Sequence, residues 1–486
     1  MRRFHAMLAL TSVVALASLV LGGCGLKGVM KPSPTPDTII FIDGAVDTVN
    51  HVVHLHWFGS ITSGYIAGYE VRLLNPEAPA DSSWLFTTRT DSLITVVTPN
   101  GFSAAVFEAR AIDDRGVRDP EPARQPFKFR NNPPIVRLTS KPNSADRSDT
   151  TFASATVEWI VSDPDGDENQ VVSRVWLNGR ADTPLIASGN SFTMPSDQFL
   201  EDGVFKSGPR KLYIQGIDDG GMAGPIDSVR WYVRSPVTGS RARLLLVDDV
   251  SGTGPAKTRV DTLYSNAVVN AGVQPGDWSV LHLQTTQPFR SSKDLEQTMR
   301  QFETVVWYRG EQTAFSRVLA SYGDEGVGRY LDAGGRMFIE SLNLIATPYT
   351  DGALSLDFVS HYLNSDGVFR YAFPPDSSSS WGLAGTAVFP CPLIADSLLN
   401  TRIVAGLRAF QTRDASQVLT YVPAHALSQD NPFPMAVALS VPQSAGGRLI
   451  VSTYPMVSAT VPTPAFPQRA SIVLLKIYGL LGLTGP

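Results

Sequence analysis

Reactive side chains gather at three places in the C-terminal half of this chain, each just after a run that reads as a strand. Asp248 and Asp249 follow Leu244-Leu245-Leu246-Val247, Arg309 and Glu311 follow Val305-Val306-Trp307-Tyr308, and Glu340, Ser341 and Asn343 follow Met337-Phe338-Ile339. Ligands of open α/β sheets bind at the carboxyl ends of strands, so a sheet that aligned these ends would collect carboxylates, a guanidinium, a hydroxyl and an amide around one crevice. Such a set suits a cation or a polar ligand. In the alternative, Asp248 and Asp249 only terminate their strand and cap the segment that follows. Ser341 with His361 as its base would make a hydrolase, but a serine elbow needs glycines around the nucleophile. Ile339-Glu340-Ser341-Leu342-Asn343 has none, and His361 lies at helical spacing among Phe358 and Tyr362, as a packed or capping histidine does.

Other candidate groups are thinner. The run Asp163-Pro164-Asp165-Gly166-Asp167-Glu168 has the clustered carboxylates a calcium ion favours, without the spacing or the distal Glu of an EF-hand loop. It reads as a solvated turn in which Asp and Gly satisfy the backbone locally. His54 and His56, two apart on one strand, point to the same face, but no carboxylate or cysteine at ligand spacing joins them, so an exposed strand face is expected. Cys391, in Phe389-Pro390-Cys391-Pro392, has no basic neighbour to lower its pKa and reads as an idle buried thiol. No metal site and no cofactor are expected.

Cys24 is different. It follows Leu21-Gly22-Gly23 at the end of an apolar run from Ala6, itself preceded by Arg2 and Arg3. That is a secretory layout, and it resembles the lipobox of bacterial lipoprotein signal peptides. The resemblance implies that residues 1–23 are removed and that the Cys24 thiol carries a diacylglyceryl group. Each buried methylene contributes roughly 0.8 kcal/mol, so several acyl chains on one residue anchor stably. The apolar run is shorter than the ~20 residues that span a bilayer. Gly25 rather than Asp follows the cysteine, which in enterobacterial lipoproteins favours the outer membrane. A lipid-anchored, exported cell-envelope protein is therefore expected, in the outer membrane if the host is Gram-negative. Residues 24–37, with Lys31-Pro32-Ser33-Pro34-Thr35-Pro36 at their centre, form an extended tether.

The chain has 486 residues, enough for two to four domains. A net charge of −5 with no Lys/Arg block leaves no footprint for nucleic acid. With Cys24 acylated, Cys391 has no partner and no intrachain disulfide is expected.

Residues 38–131 alternate short β-branched and aromatic runs with turn signals. Val53-His54-Leu55-His56-Trp57 places Val53, Leu55 and Trp57 inward, and Gly68 to Leu73 puts Tyr69, Val71 and Leu73 on one face. Together with Arg110-Ala111-Ile112-Asp113 these strands resemble a fibronectin type III domain. After Asn131-Asn132-Pro133-Pro134 a second β pattern occupies residues 132–236, with Trp159 on an inward face and a Lys211 to Gly221 segment that echoes Arg110 to Gly116. It resembles an immunoglobulin-like or fibronectin-like domain.

Residues 243–486 change grammar to alternating strands and helices, the mark of an α/β layer fold. Helices are expected from about Ala256 to Asn270, from Leu295 to Phe302, from Phe315 to Ala333, with Gly323 the place where it would break, and from Arg469 to Leu481. Leu245-Leu246-Val247-Asp248-Asp249, Val305 to Gly310 and Tyr330-Leu331-Asp332-Ala333-Gly334-Gly335-Arg336-Met337-Phe338-Ile339 resemble the flavodoxin-like domain of the class I glutamine amidotransferase-like superfamily. Active members place a Cys on the strand-to-helix elbow with a His and a Glu downstream, because acyl transfer needs an activated thiolate. This chain has Glu340-Ser341-Leu342-Asn343 there and no His-X-Glu near the final strand, so the catalytic set does not carry over. The expected fold is multidomain, two all-β immunoglobulin/fibronectin III-like sandwiches followed by an α/β flavodoxin-like three-layer domain. The expected function is a non-catalytic surface lipoprotein whose head binds a protein or glycan on β spacers. The alternative is an envelope or extracellular hydrolase acting through the strand-end crevice.

Overall fold

Period-two alternation along Val52–Ser60 buries Val53, Leu55 and Trp57 and turns His54, His56 and Phe58 to the opposite face. The computed structural model describes residues 34–42, 49–76, 82–140, 150–236, 242–283, 288–312, 314–346, 352–370, 387–400, 408–422, 435–456 and 466–483. The expected signal peptide, Cys24 and most of the tether lie outside the described residues. The described residues up to Pro134, with Asp163–Val171 and Ile217–Ala223, form one compact unit; Ile135–Ser162, Val172–Gly216 and those from Gly224 onward form a second.

In the first unit, strands β1 (Asp37–Phe41), β2 (Val49–Asn50), β3 (Val52–Ser60), β4 (Ile66–Leu74), β5 (Leu85–Thr87), β6 (Asp91–Thr95), β7 (Phe102–Asp113) and β8 (Ala123–Arg130) make two sheets, β1-β3-β6 and β2-β8-β7-β4-β5. They close over Leu55, Trp57, Tyr69, Phe107 and Phe129, with the Trp57 and Phe107 rings 5.4 Å apart. This is a sandwich of the immunoglobulin and fibronectin III-like class. Val71 and Leu73 pack on the same core from its margin.

The acidic run at 163–168 is a turn. Asp163 Oδ1 accepts from the Asp165 and Gly166 amides, Asp165 Oδ2 accepts from Asn132 N and Nδ2 at 2.9 and 2.8 Å, and Asp167 caps a short 3-10 turn over Glu168–Gln170. Burial, with Asp218 and Asp165 alongside, raises the Asp163 pKa, whereas the Asn169 amide lowers that of Asp167.

The second unit starts with another sandwich. Strands β9 (Ile135–Ser140), β10 (Ala155–Ser162) and β13 (Ser191–Met194) form one sheet, and β11 (Val172–Leu177), β12 (Leu185–Ala187), β16 (Gly208–Ile217) and β17 (Asp227–Val233) the other; β14 (Leu200–Glu201) and β15 (Val204–Phe205) pair separately. Val157, Trp159, Leu212, Ile214 and Trp231 are buried, and Trp231 Nε1 donates to Thr151 Oγ1 at 2.9 Å.

Continuous apolar runs then build a larger sheet. Strands β18 (Ala242–Asp248), β19 (Trp278–His282), β20 (Phe302–Tyr308), β21 (Arg336–Glu340) and β28 (Arg448–Ser452) run parallel in the order β19-β18-β20-β21-β28. The segment between β21 and β28 extends that sheet with β22 (Ser365–Arg370), β25 (Arg408–Thr412), β26 (Val418–Val422) and β27 (Met435–Pro442), all antiparallel to their neighbours; β23 (Ala387–Cys391) and β24 (Asp396–Asn400) form a separate hairpin. Helices α1 (Pro255–Asn270) and α5 (Phe466–Leu480) share one apolar cluster with Leu244 and Leu246, while α2 (Ser292–Met299), α3 (Arg317–Asp332) and α4 (Leu356–Tyr362) share the other with Leu245 and Val247. Alternate residues of one strand thus bury against opposite helix layers, which is why β18 reads as uninterrupted hydrophobic sequence.

Helix α3 does not break at Gly323. It runs unbroken from its Ser316 cap, and its glycines are close-approach positions instead: a Cβ on Gly326 would stand 2.9 Å from the Ser292 carbonyl oxygen. Gly326→Ala is expected to lower stability by about 1–3 kcal/mol, because backbone on the facing helix must move. Denaturant midpoints measured on the full chain check this.

The second sandwich is fixed to this sheet. Phe152 meets Phe302 edge to face at 5.2 Å, Ser154 Oγ donates to Asp294 Oδ1 at 2.6 Å, and the hydroxyls of Thr156, Thr193 and Ser291 lie 2.9–3.0 Å apart. Ser291 also caps α2 by accepting from the Asp294 amide.

Candidate functional site

The parallel pairing of β18 with β19 places Asp248 directly beside His282. His282 Nδ1 lies 2.7 Å from Asp248 Oδ2, the same oxygen that Lys257 approaches from the first turn of α1. Gly254 before that helix has φ 92°, a left-handed conformation that glycine adopts without strain, and Pro255 follows at the first helical position. Lys257 Nζ also donates to Asp261 one turn on, at 2.7 Å. Burial alone would lower the Lys257 pKa, but its hydrogen bonds to Asp248 and Asp261 outweigh it and the net shift is upward. Around these groups lies a cleft of about 470 Å³, floored by Asp248, Lys257, Asp261 and His282 and edged by the Gly252-Thr253-Gly254 loop and Thr258. Asp248 is fully buried beneath it, so the cleft presents the Asp261 carboxylate, one ammonium, an imidazole and two hydroxyls, a mixed set that suits an uncharged polar ligand better than a single strong charge.

The other strand-end residues turn into the protein. Arg309 and Asp249, each about 5% exposed, pair at 2.6 Å; Arg309 also donates to the Asp249 and Ala314 carbonyls, and Trp307 Nε1 donates to Asp249 Oδ2 at 3.1 Å. Glu340 is fully buried and accepts from Tyr264 Oη at 2.5 Å, the Gly310 amide at 3.0 Å and the Met456 amide at 2.7 Å. Burial raises its pKa to about 7 against the pull of those three donors. Ser341 is fully buried, and its Oγ has no hydrogen-bond partner among the described residues. His361 is exposed on α4 with its ring against Tyr362, so Ser341 and His361 are not brought together. Glu311 and Asn343 are half-buried. Cys391 is buried with Sγ 3.4 Å from Thr420 Oγ1, and burial raises its pKa, which keeps the thiol protonated.

The sequence reading named Asp248 but not its cleft partners Lys257, Asp261 and His282. Their signal was present in part: Lys257 and Asp261 sit at helical i, i+4 spacing. The register that sets His282 beside Asp248 is a property of strand pairing.

No protein-family model matches this chain, and no curated protein matches it. Solved structures to which it is similar include the fibronectin(III)-like modules of Clostridium thermocellum CbhA, at 17% identity over 40% of this chain and 94% of that one, with a TM-score of 0.19. The FN1–FN3 domains of chicken CNTN1 are similar at 14% identity, covering 44% of this chain and 70% of that one, with a TM-score of 0.18. A 1.5-MDa bacterial ice-binding adhesin is similar at 12% identity, 43% and 68% coverage and a TM-score of 0.17.

Proposed function

We propose that this chain is a lipid-anchored cell-envelope protein, non-catalytic, that presents its C-terminal α/β layer as a binding head for a protein or glycan. The observation that carries the non-catalytic reading is the state of the strand ends: Ser341 is sealed away from solvent, Asp249 pairs with Arg309 and accepts from the Trp307 indole, and Glu340 accepts from the Tyr264 hydroxyl and two backbone amides. The strand order β19-β18-β20-β21-β28, which is 2-1-3-4-5 by order of appearance, supports reading the head as flavodoxin-like, and with it the resemblance to amidotransferase-like domains without their catalytic set. The cleft at Asp248, Lys257 and His282 is the surface this reading assigns to the ligand. Cys24 supplies the anchor, with the outer membrane the favoured location in a Gram-negative host. No helix among the described residues is long and apolar enough to cross a membrane.

Two measurements test this. Cys24→Ala in the full chain is expected to move the protein from the membrane pellet to the soluble fraction; continued pelleting would overturn the anchor. Thr258→Trp, which fills the cleft, is expected to weaken binding of the full-length protein to isolated envelope glycan or protein fractions at least tenfold with no change in melting temperature. Undiminished binding would remove the cleft from the reading, and turnover of envelope material that disappears in His282→Ala would establish the hydrolase instead.

A further inference from the structure

The outward face of the β1-β3-β6 sheet carries three donor groups that sequence spacing did not connect. His54 and His56 project from β3 on the face opposite Leu55 and Trp57, and the antiparallel register sets Asp91 of β6 directly across from His56. Asp91 Oδ2 lies 2.8 Å from His54 Nε2, and the two imidazole rings are 4.3 Å apart between centroids. One donor atom from each of the three residues lies within 4.8 Å of the others, the one such group of histidines, cysteines and carboxylates among the described residues. Donors bound to a tetrahedral zinc at about 2.0–2.1 Å stand roughly 3.3–3.4 Å apart, so half-exposed side chains need only small χ rotations to close on an ion. We propose that His54, His56 and Asp91 form a binding site for a divalent transition metal ion of the zinc class, with two imidazoles and one carboxylate as ligands and an outward coordination position left open.

The chemistry favours that class over hard cations. Two imidazoles and one oxygen suit Zn(II), Ni(II) or Cu(II), whereas calcium and magnesium want a shell of oxygens. The strand scaffold contributes pre-organisation: Leu55, buried between the two histidines, and Trp57, buried just after His56, lock the β3 backbone from which both histidines project. The same outward face holds Phe41 across from His56, Leu93 across from His54, and Phe58 paired with Ile39, all exposed apolar side chains. They rim the donors with low-dielectric surface, which strengthens the interaction of a carboxylate with a bound cation.

The test is a titration of chelator-stripped full-length protein with Zn(II) by calorimetry, and with Co(II) by visible absorption as a read-out of tetrahedral nitrogen and oxygen ligation. One ion is expected to bind at this site, with His54→Ala, His56→Ala and Asp91→Asn each weakening it at least tenfold, and His54→Ala/His56→Ala abolishing it. His282→Ala, at the cleft of the head, is expected to leave it unchanged. Zn(II) should raise the melting temperature of the wild type and not of the double variant, a read-out that holds even if one single variant folds poorly. Absence of stoichiometric binding, or binding that survives the double substitution, would overturn the proposal.

Discussion

Glu340→Ala is expected to destabilise the second compact unit by about 3–5 kcal/mol, one of the two largest effects of any single substitution proposed for this chain. The alanine removes the acceptor for three buried donors at once, the Tyr264 hydroxyl and the Gly310 and Met456 amides, and water cannot replace it at a position with no exposed surface. The two amides belong to segments just after β20 and β28, so the carboxylate ties neighbouring strand ends together around its own strand, β21. The same residue gives stability a pH dependence. Burial lifts the Glu340 pKa from an ordinary 4.5 to about 7, and lifts that of Asp294, at the sandwich-to-sheet contact, from 3.8 to about 6. Both folded values lie above the unfolded ones, so the folded state binds more protons between them. Their contribution is fully present below about pH 4 and is lost as pH rises through 6 and 7, on the order of 3 kcal/mol for each group. Melting temperature measured from pH 4 to 8 should therefore fall across that window, and Asp294→Asn should flatten the lower part of the slope. A melting temperature that rises steadily over the window would refute the assignment.

The second large effect concerns Asp249. Asp249→Ala strands a guanidinium that is almost fully buried, along with the Trp307 indole N–H, and breaking a buried ion pair in this way costs about 3–5 kcal/mol. Arg309→Met alone leaves the carboxylate unpaired and should cost a similar amount. The double variant Asp249→Leu/Arg309→Met is expected to recover most of the loss, because apolar side chains of similar volume avoid the desolvation penalty that the pair bears. Urea midpoints of the wild type, Asp249→Leu, Arg309→Met and the double variant complete the double-mutant cycle. If instead Asp249→Ala kept wild-type stability and lost only ligand binding, the residue would belong to a binding surface and the structural reading of the strand ends would fall.

Much of the architecture was legible because periodicity is a local property. Val53, Leu55 and Trp57 declare a half-buried strand by alternation, and Leu244 to Val247 declare one buried on both faces by the lack of it. Helix α3 lies within two residues of its expected ends, with Gly334 just past its C-terminus; Gly323 does not break it but faces Leu354, a contact no spacing reveals. The reach of the segment between β21 and β28 was also hidden. Its strands lengthen the sheet, and short apolar runs between turns do not say which edge they will join.

What the sequence determined by itself is the order of the main elements and the inward-facing residues of the strands it marks by periodicity. These follow from residue type and spacing of 2 or 3.6, which fix a side chain's face within its own element. Only the tertiary structure decided which faces meet. Cross-strand register placed Asp91 opposite His56 and His282 beside Asp248, and burial turned Asp249, Arg309, Glu340 and Ser341 inward. The physical reason is that register and burial are set by packing between segments tens of residues apart, and a single chain read in order contains no term for that contact.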